Sequence, residues 1–205
     1  MKSYLVFLIA IHGIAHAEEE YANCRYKEEM DDYMRYRFEE MHNGYRSLLA
    51  LGKVYLNNSM SEKASKMMAL KYDCDAENSA YISAKKCSTT PAPVNDYDEN
   101  LYEVEDGEGD PVVEAINAWS SEALDFDQKA GNLYNDKIPS FANLVWDTHA
   151  KLGCAVVDCG RKKHVVCHYG PKEEREGKQI YAIGEPCSGC SDKNKCDPEE
   201  GLCYM

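Results

Sequence analysis

Apolar residues between positions 31 and 51 return at the spacing of one helix face: Met34, Phe38, Met41, Tyr45 and Leu48, at steps of 4, 3, 4 and 3. With Gly52 as the stop, the pattern predicts an amphipathic helix. The same spacing recurs over 110–126 in Val112, Ile116, Trp119, Ala123 and Phe126, behind Asp110 as N-cap and Pro111 at the first helical position. Two further helices are expected over 61–72 and 74–87, the latter rich in alanine and carrying Tyr81 and Ile82 one turn after Asn78. After Pro139 the pattern changes to short β-branched runs at 154–159 and 164–169, separated by Gly160, Arg161 and Lys162. These read as an antiparallel hairpin, with 180–183 as a third strand. Helices first and strands later predict an α+β fold with helices packed on an antiparallel sheet. From Gly184 onward apolar residues other than cysteine nearly vanish, which predicts a small disulfide-held tail outside the core.

The chain of 205 residues has 36 acidic and 23 basic side chains and a formal charge of -13. That balance excludes nucleic acid and anionic lipid as electrostatic partners, because both require a basic surface. The apolar run at 4–11 follows Lys2 and precedes Ala15 and Ala17, the small-residue pattern of a cleavage site before Glu18. Residues 1–17 are therefore expected to be a secretory signal peptide. Their apolar run falls short of the roughly 20 residues that span a bilayer, so no membrane insertion is expected. In an oxidising compartment the ten cysteines, Cys24, Cys74, Cys87, Cys154, Cys159, Cys167, Cys187, Cys190, Cys196 and Cys203, form a framework of up to five bridges whose pairing spacing leaves open. The C-x-x-C pair Cys187 and Cys190 would suggest zinc or redox chemistry in the cytosol, but outside the cell the disulfide reading prevails. Asn57, Asn58 and Ser59 form a glycosylation acceptor on an expected surface loop. The segment 96–110 carries Asp96, Asp98, Glu99, Glu103, Glu105, Asp106, Glu108 and Asp110 and reads as a solvated loop.

Several stretches carry a family likeness: MHNGYRSLLALG at 41–52, DENLY at 98–102, AWSSEALDF at 118–126, SFANLVWDTHAKLGCAVVDC at 140–159 and HVVCHYGP at 164–171. Together they resemble the cysteine-rich secretory, antigen 5 and pathogenesis-related (CAP) superfamily, and within it secreted proteins of parasitic nematodes that act on host platelets and leukocytes. The resemblance implies an α-β-α sandwich over 18–183 and a hinge-like cysteine-rich tail over 184–205. It also implies a secreted, non-enzymatic antagonist of a host cell-surface integrin that foremost inhibits platelet aggregation and adhesion. The alternatives are inhibition of neutrophil adhesion, or binding of a sterol or fatty acid.

The superfamily's cleft usually brings together two histidines and two carboxylates, a set suited to a divalent transition metal. Carried over by resemblance, His42 stands for the first histidine, Glu99 and Glu122 for the carboxylates, and Ser140 replaces the second histidine. A serine hydroxyl is a poor zinc ligand, so the cleft is expected to be degenerate, with no metal and no cofactor. A hydrolase with Ser140 as nucleophile and His42 as base lacks the G-x-S-x-G context, since Pro139 precedes the serine and Phe141 follows it. No catalytic residue is expected. His42 is expected to bond Glu99 or Glu122, His149 to lie at the surface, and His164 and His168 to be structural strand residues. Glu108-Gly109-Asp110 lacks the leading base of an integrin-binding tripeptide. The candidate receptor-binding residues are instead Glu103, Glu105, Asp106 and Glu108, whose carboxylates suit the open position of a receptor's own hard cation. The 15 tyrosines suit either a protein interface or a lipid groove.

Overall fold

The computed structural model describes Cys24 and residues 29–92, 94–105, 109–192 and 195–205. The expected signal peptide, Asp106 and Glu108 lie outside the described residues. Helix α1 spans Asp32–Ala50, with the Asp31 side chain accepting from the Met34 amide as N-cap. Then follow β1 (Lys71–Tyr72), α2 (Cys74–Ala84), β2 (Asp98–Glu105) and α3 (Pro111–Ser121). As the sequence predicts, Asp110 caps α3 by accepting from Val112 and Val113. Helix α4 (Pro139–Val145), the hairpin β3 (Lys151–Asp158) and β4 (Lys162–Gly170), and a small hairpin β5 (Cys196–Asp197) and β6 (Leu202–Cys203) complete the chain.

The main sheet has the order β1-β3-β4-β2; β1 runs parallel to β3 and the other pairs are antiparallel. Because strand side chains alternate, each face of the sheet takes a different cover. Helix α2 packs on one face through Ala80 and Ala84 against Ala155, Val157 and Val166. Helices α1 and α3 cover the other, where Phe38, Val112, Ile116 and Trp119 meet Leu152, Cys154, Val165, Cys167 and Tyr169. The result is an α-β-α sandwich. Beside β1 the Arg35 guanidinium of α1 grips Glu77 of α2 with both atoms buried (Nε to Oε2 2.6 Å, Nη2 to Oε1 3.0 Å), while the Tyr72 hydroxyl donates to the same carboxylate.

Several expectations are corrected. Residues 61–72 form no helix: Ser65 donates to the Ala182 carbonyl, Ala69 to that of Cys203, and Lys71 to that of Ala150, so the segment is drawn out between distant partners. Residues 180–183 form no strand: Ile180 and Tyr181 are buried in the core, backbone bonds tie Ile180 to Asn132 and Asp147 and Ala182 to Ser65, and the one ladder contact is an isolated bridge between Ala64 and Ile183. The acidic stretch expected as a loop is β2 over 98–105, in full register with β4. On α1 the buried stripe is Arg35, Phe38, His42, Arg46 and Leu49, whereas Leu48 is 46% exposed. The tail also enters the core, since Leu202 is buried in the cluster containing Leu49, Met67, Phe126 and Phe141.

All ten cysteines are paired: Cys24 with Cys74, Cys87 with Cys159, Cys154 with Cys167, Cys187 with Cys196, and Cys190 with Cys203. Three bridges staple the sandwich and two the tail. The sulfurs of Cys187, Cys190 and Cys196 lie close together, but each belongs to a disulfide and offers no thiolate to a metal.

Candidate functional site

The run His42, Asn43 and Arg46 on α1 is the natural place to seek chemistry, yet each side chain is committed to the scaffold. Asn43 bonds both backbone groups of Leu70 at 2.8 Å, as a paired strand would. Arg46 is fully buried and donates to four carbonyls, those of Met68, Leu144, Trp146 and His149, at 2.7 to 3.1 Å. Burial pushes its pKa down to about 9, which still leaves it charged at neutral pH. Carbonyl dipoles from three chain segments thus replace the water that the guanidinium loses.

His42 bonds neither Glu99 nor Glu122. Its Nδ1 lies 2.6 Å from the Phe38 carbonyl and its Nε2 2.9 Å from the Tyr169 hydroxyl. A carbonyl can only accept, so Nδ1 carries the proton and the Nε2 lone pair receives the tyrosine hydroxyl. Burial lowers the pKa of this imidazole to about 4. The ring is neutral and has no lone pair left for a metal or a substrate proton.

The sheet itself separates Glu99 from His42, while Glu122 stays in contact with Ser140. Tyr169 points toward α1, so His168 and its cross-strand partner Glu99 point toward α2, where they bond each other at 2.8 Å and Glu99 also accepts from Ala92. Glu122 accepts from the backbone amides of Ser140 and Phe141 at 2.7 and 2.8 Å, which caps α4. Ser140 is engaged through its backbone on both sides, its carbonyl accepting from Asn100. Glu99 therefore lies across the sheet from His42, and the His42 Nε2 that a serine-histidine pair would use is already bonded to Tyr169.

In their place lies a buried polar chain that sequence reasoning missed. From His42 it runs through the Tyr169 hydroxyl to Asn100 (3.1 Å) and on to Asn143 (2.7 Å). His149, expected at the surface, is fully buried and stacks on Tyr169 with ring centroids 5.6 Å apart. Its ring nitrogens face the Asn143 carbonyl at 3.0 Å and Asp98 at 3.1 Å. Burial lowers the pKa of His149 against the raising influence of Asp98. Burial also acts to raise the Asp98 carboxyl, but His149, Arg175 and the Glu173 amide outweigh it and hold that group below its ordinary value. Positions 98 and 100 share a strand face, a signal available in the sequence only once 98–105 is recognised as a strand.

The acidic candidates divide. Glu103 is bonded by Lys162 (2.8 Å) and His164 (3.0 Å), and Glu105 lies 3.4 Å from the same lysine. Both belong to β2 rather than to a loop, and Asp106 and Glu108 fall outside the described residues. The acceptor Asn57 is exposed in a turn where the Leu56 amide donates to the Ser59 carbonyl. Two open grooves, of about 370 Å³ beside Leu51 and Ile183 and about 410 Å³ beside Trp146, are rimmed by charges such as Lys63, Glu185, Lys66 and Glu173. Neither provides the apolar lining that a sterol or fatty acid requires.

Comparison with known proteins agrees with this architecture. Residues 39–169 match the cysteine-rich secretory protein family. The chain is 46% identical to hookworm platelet inhibitor 1 of Ancylostoma caninum, over 94% of this chain and 90% of that protein. The crystal structure of a hookworm platelet inhibitor superposes with a TM-score of 0.77 at 42% identity, over 90% of this chain and 97% of that one. That of NaASP2 with Zn2+ does so at 0.76 and 32% identity, over 88% of this chain and 100% of that one.

Proposed function

The chain belongs to the cysteine-rich secretory protein family and is secreted, and from that premise we propose that it is a non-enzymatic inhibitor of platelet aggregation and adhesion that occupies an integrin on the host cell. The observation that carries this reading is 46% identity to a platelet inhibitor along nearly the whole of both chains. A likeness of that extent includes exposed loops as well as core. The second support is negative chemistry: the cleft residues that would serve a metal or a nucleophile are consumed as caps and buried hydrogen bonds.

Of the four acidic candidates, Glu103 and Glu105 already answer to Lys162 and His164. The receptor contact is therefore assigned to Asp106 and Glu108, either of which can offer a carboxylate oxygen to a receptor-bound hard cation. The test is aggregation of washed platelets, and their adhesion to fibrinogen, with the oxidised protein. Wild type is expected to block both. Asp106→Asn together with Glu108→Gln should weaken inhibition at least tenfold, while Glu103→Gln should leave it unchanged. Blockade of neutrophil but not platelet adhesion would redirect the reading to leukocytes, and inhibition that survives the double replacement would move the contact off this segment.

A further inference from the structure

The exposed side of α1 faces the end of the cysteine-rich tail across a groove of about 470 Å³. One wall is Tyr36 and Glu40 of α1 and the other is Glu200 and Tyr204 of the tail, with Gly44 and Ser47 between them. Both tyrosines are 44% exposed, so their rings are available to an incoming group. The lining holds three carboxylates, Glu39, Glu40 and Glu200, and no lysine or arginine.

Gly44 is the anomaly that gives the groove meaning. Glycine is the least favourable ordinary residue for a helix interior, yet a Cβ built here would meet nothing within 4 Å. Among the described residues no neighbour requires its absence. What the missing side chain provides is close approach to the helix backbone from outside. The opposite wall is held in place by disulfides: Cys203, between Leu202 and Tyr204, is bridged to Cys190, and Leu202 is anchored in the core. The Tyr204 hydroxyl is hydrogen-bonded to Glu200, and burial and the Glu40 carboxylate raise the pKa of Tyr36, so each ring stands beside a negative charge.

We propose that this groove between α1 and the tail is a docking site for an extended, arginine-bearing peptide segment of a partner protein. An arginine fits the chemistry better than a lysine, because its planar guanidinium can lie against tyrosine faces while its edge donates to carboxylates on either wall. The glycine lets the segment's backbone lie close to the helix. The groove contains none of the residues assigned to the receptor contact, and the proposal stands without the platelet reading.

The experiment is titration of acetyl-Gly-Arg-Gly-Arg-Gly-amide into the oxidised, isotope-labelled full chain at about 0.15 M salt, which screens long-range attraction. The matching glutamate peptide serves as control, and the readout is backbone amide shifts. Saturable shifts confined to residues 36–47 and 200–204 are expected. Gly44→Leu, which fills open space, should weaken binding about tenfold or more while the thermal midpoint holds or rises, as a better helix former requires, and Glu40→Lys with Glu200→Lys should abolish binding. Shifts spread over the acidic surface, or affinity that survives both variants, would overturn the proposal.

Discussion

The two faces of the central sheet solve the same packing problem by opposite means. Toward α2 the contact is made mostly of alanine, valine and glycine, with the buried pair His168 and Glu99 beside them, and it is so close that a Cβ at Gly153 would fall 2.0 Å from the Glu77 amide nitrogen. Toward α1, α3 and α4 the side chains are large, and among them lie the fully or almost fully buried polar groups His42, Arg46, Asn100, Asn143, His149 and Tyr169. Small residues bring the first pair of layers together by leaving nothing in the way. The second face is joined by hydrogen bonds whose directions allow only one arrangement, because each donor left unpaired in the interior is costly. The first face relies mainly on shape and the second adds a directional polar network.

The sharpest way to break the first face is Gly153→Ala. Backbone atoms rather than a flexible side-chain tip occupy the space, so α2 must shift, and roughly 4 kcal/mol or more of stability should be lost in urea unfolding. Tolerance of alanine would show that α2 slides easily and that shape does not specify this face. On the second face, Arg46→Met keeps the stem but strands the carbonyls of Met68, Leu144, Trp146 and His149. A loss of about 3 to 5 kcal/mol is expected, read by the same measurement.

The smallest of the three effects is one of pH, and it belongs to the polar face. In the folded chain the pKa of His42 is about 4, below its unfolded value of 6.5. Its contribution is complete above pH 6.5 and is lost as the pH falls toward 4, up to about 3 kcal/mol. His149, also lowered by burial, acts in the same direction, and the depressed carboxyls of Asp98 and Glu99 extend the loss below about pH 4. Stability measured between pH 7 and 4 should therefore decline, and His42→Gln should flatten the slope. An unchanged slope would place the proton uptake on other groups.

How far the sequence was legible depends on whether a segment's partners are near it in the chain. The positions of α1 and α3 follow from apolar spacing and, for α3, from Asp110 and Pro111, all local signals. The hairpin of β3 and β4 follows from two β-branched runs around Gly160. Strand β2 escaped because Asp98, Glu99, Asn100 and Glu103 look like solvated residues, while His149, Arg175, His168, Asn143 and Lys162, which satisfy them, come from positions 40 or more residues later. The segment 61–72 failed for a related reason, the expected helix being overridden by backbone bonds to Ala150, Ala182 and Cys203.

The family, the disulfide class and the sequence of helices followed by strands were all determined by residue type and order, because each depends on chemistry that a residue carries with it. What the tertiary structure alone decided is which side of the sheet each residue faces. A shift of one position along a strand turns a side chain to the opposite layer, and that alternation placed Glu99 with His168 and left His42 with Tyr169. Burial then settled the charge of the imidazole, since a ring closed off from water between a carbonyl and a hydroxyl cannot retain a second proton at neutral pH.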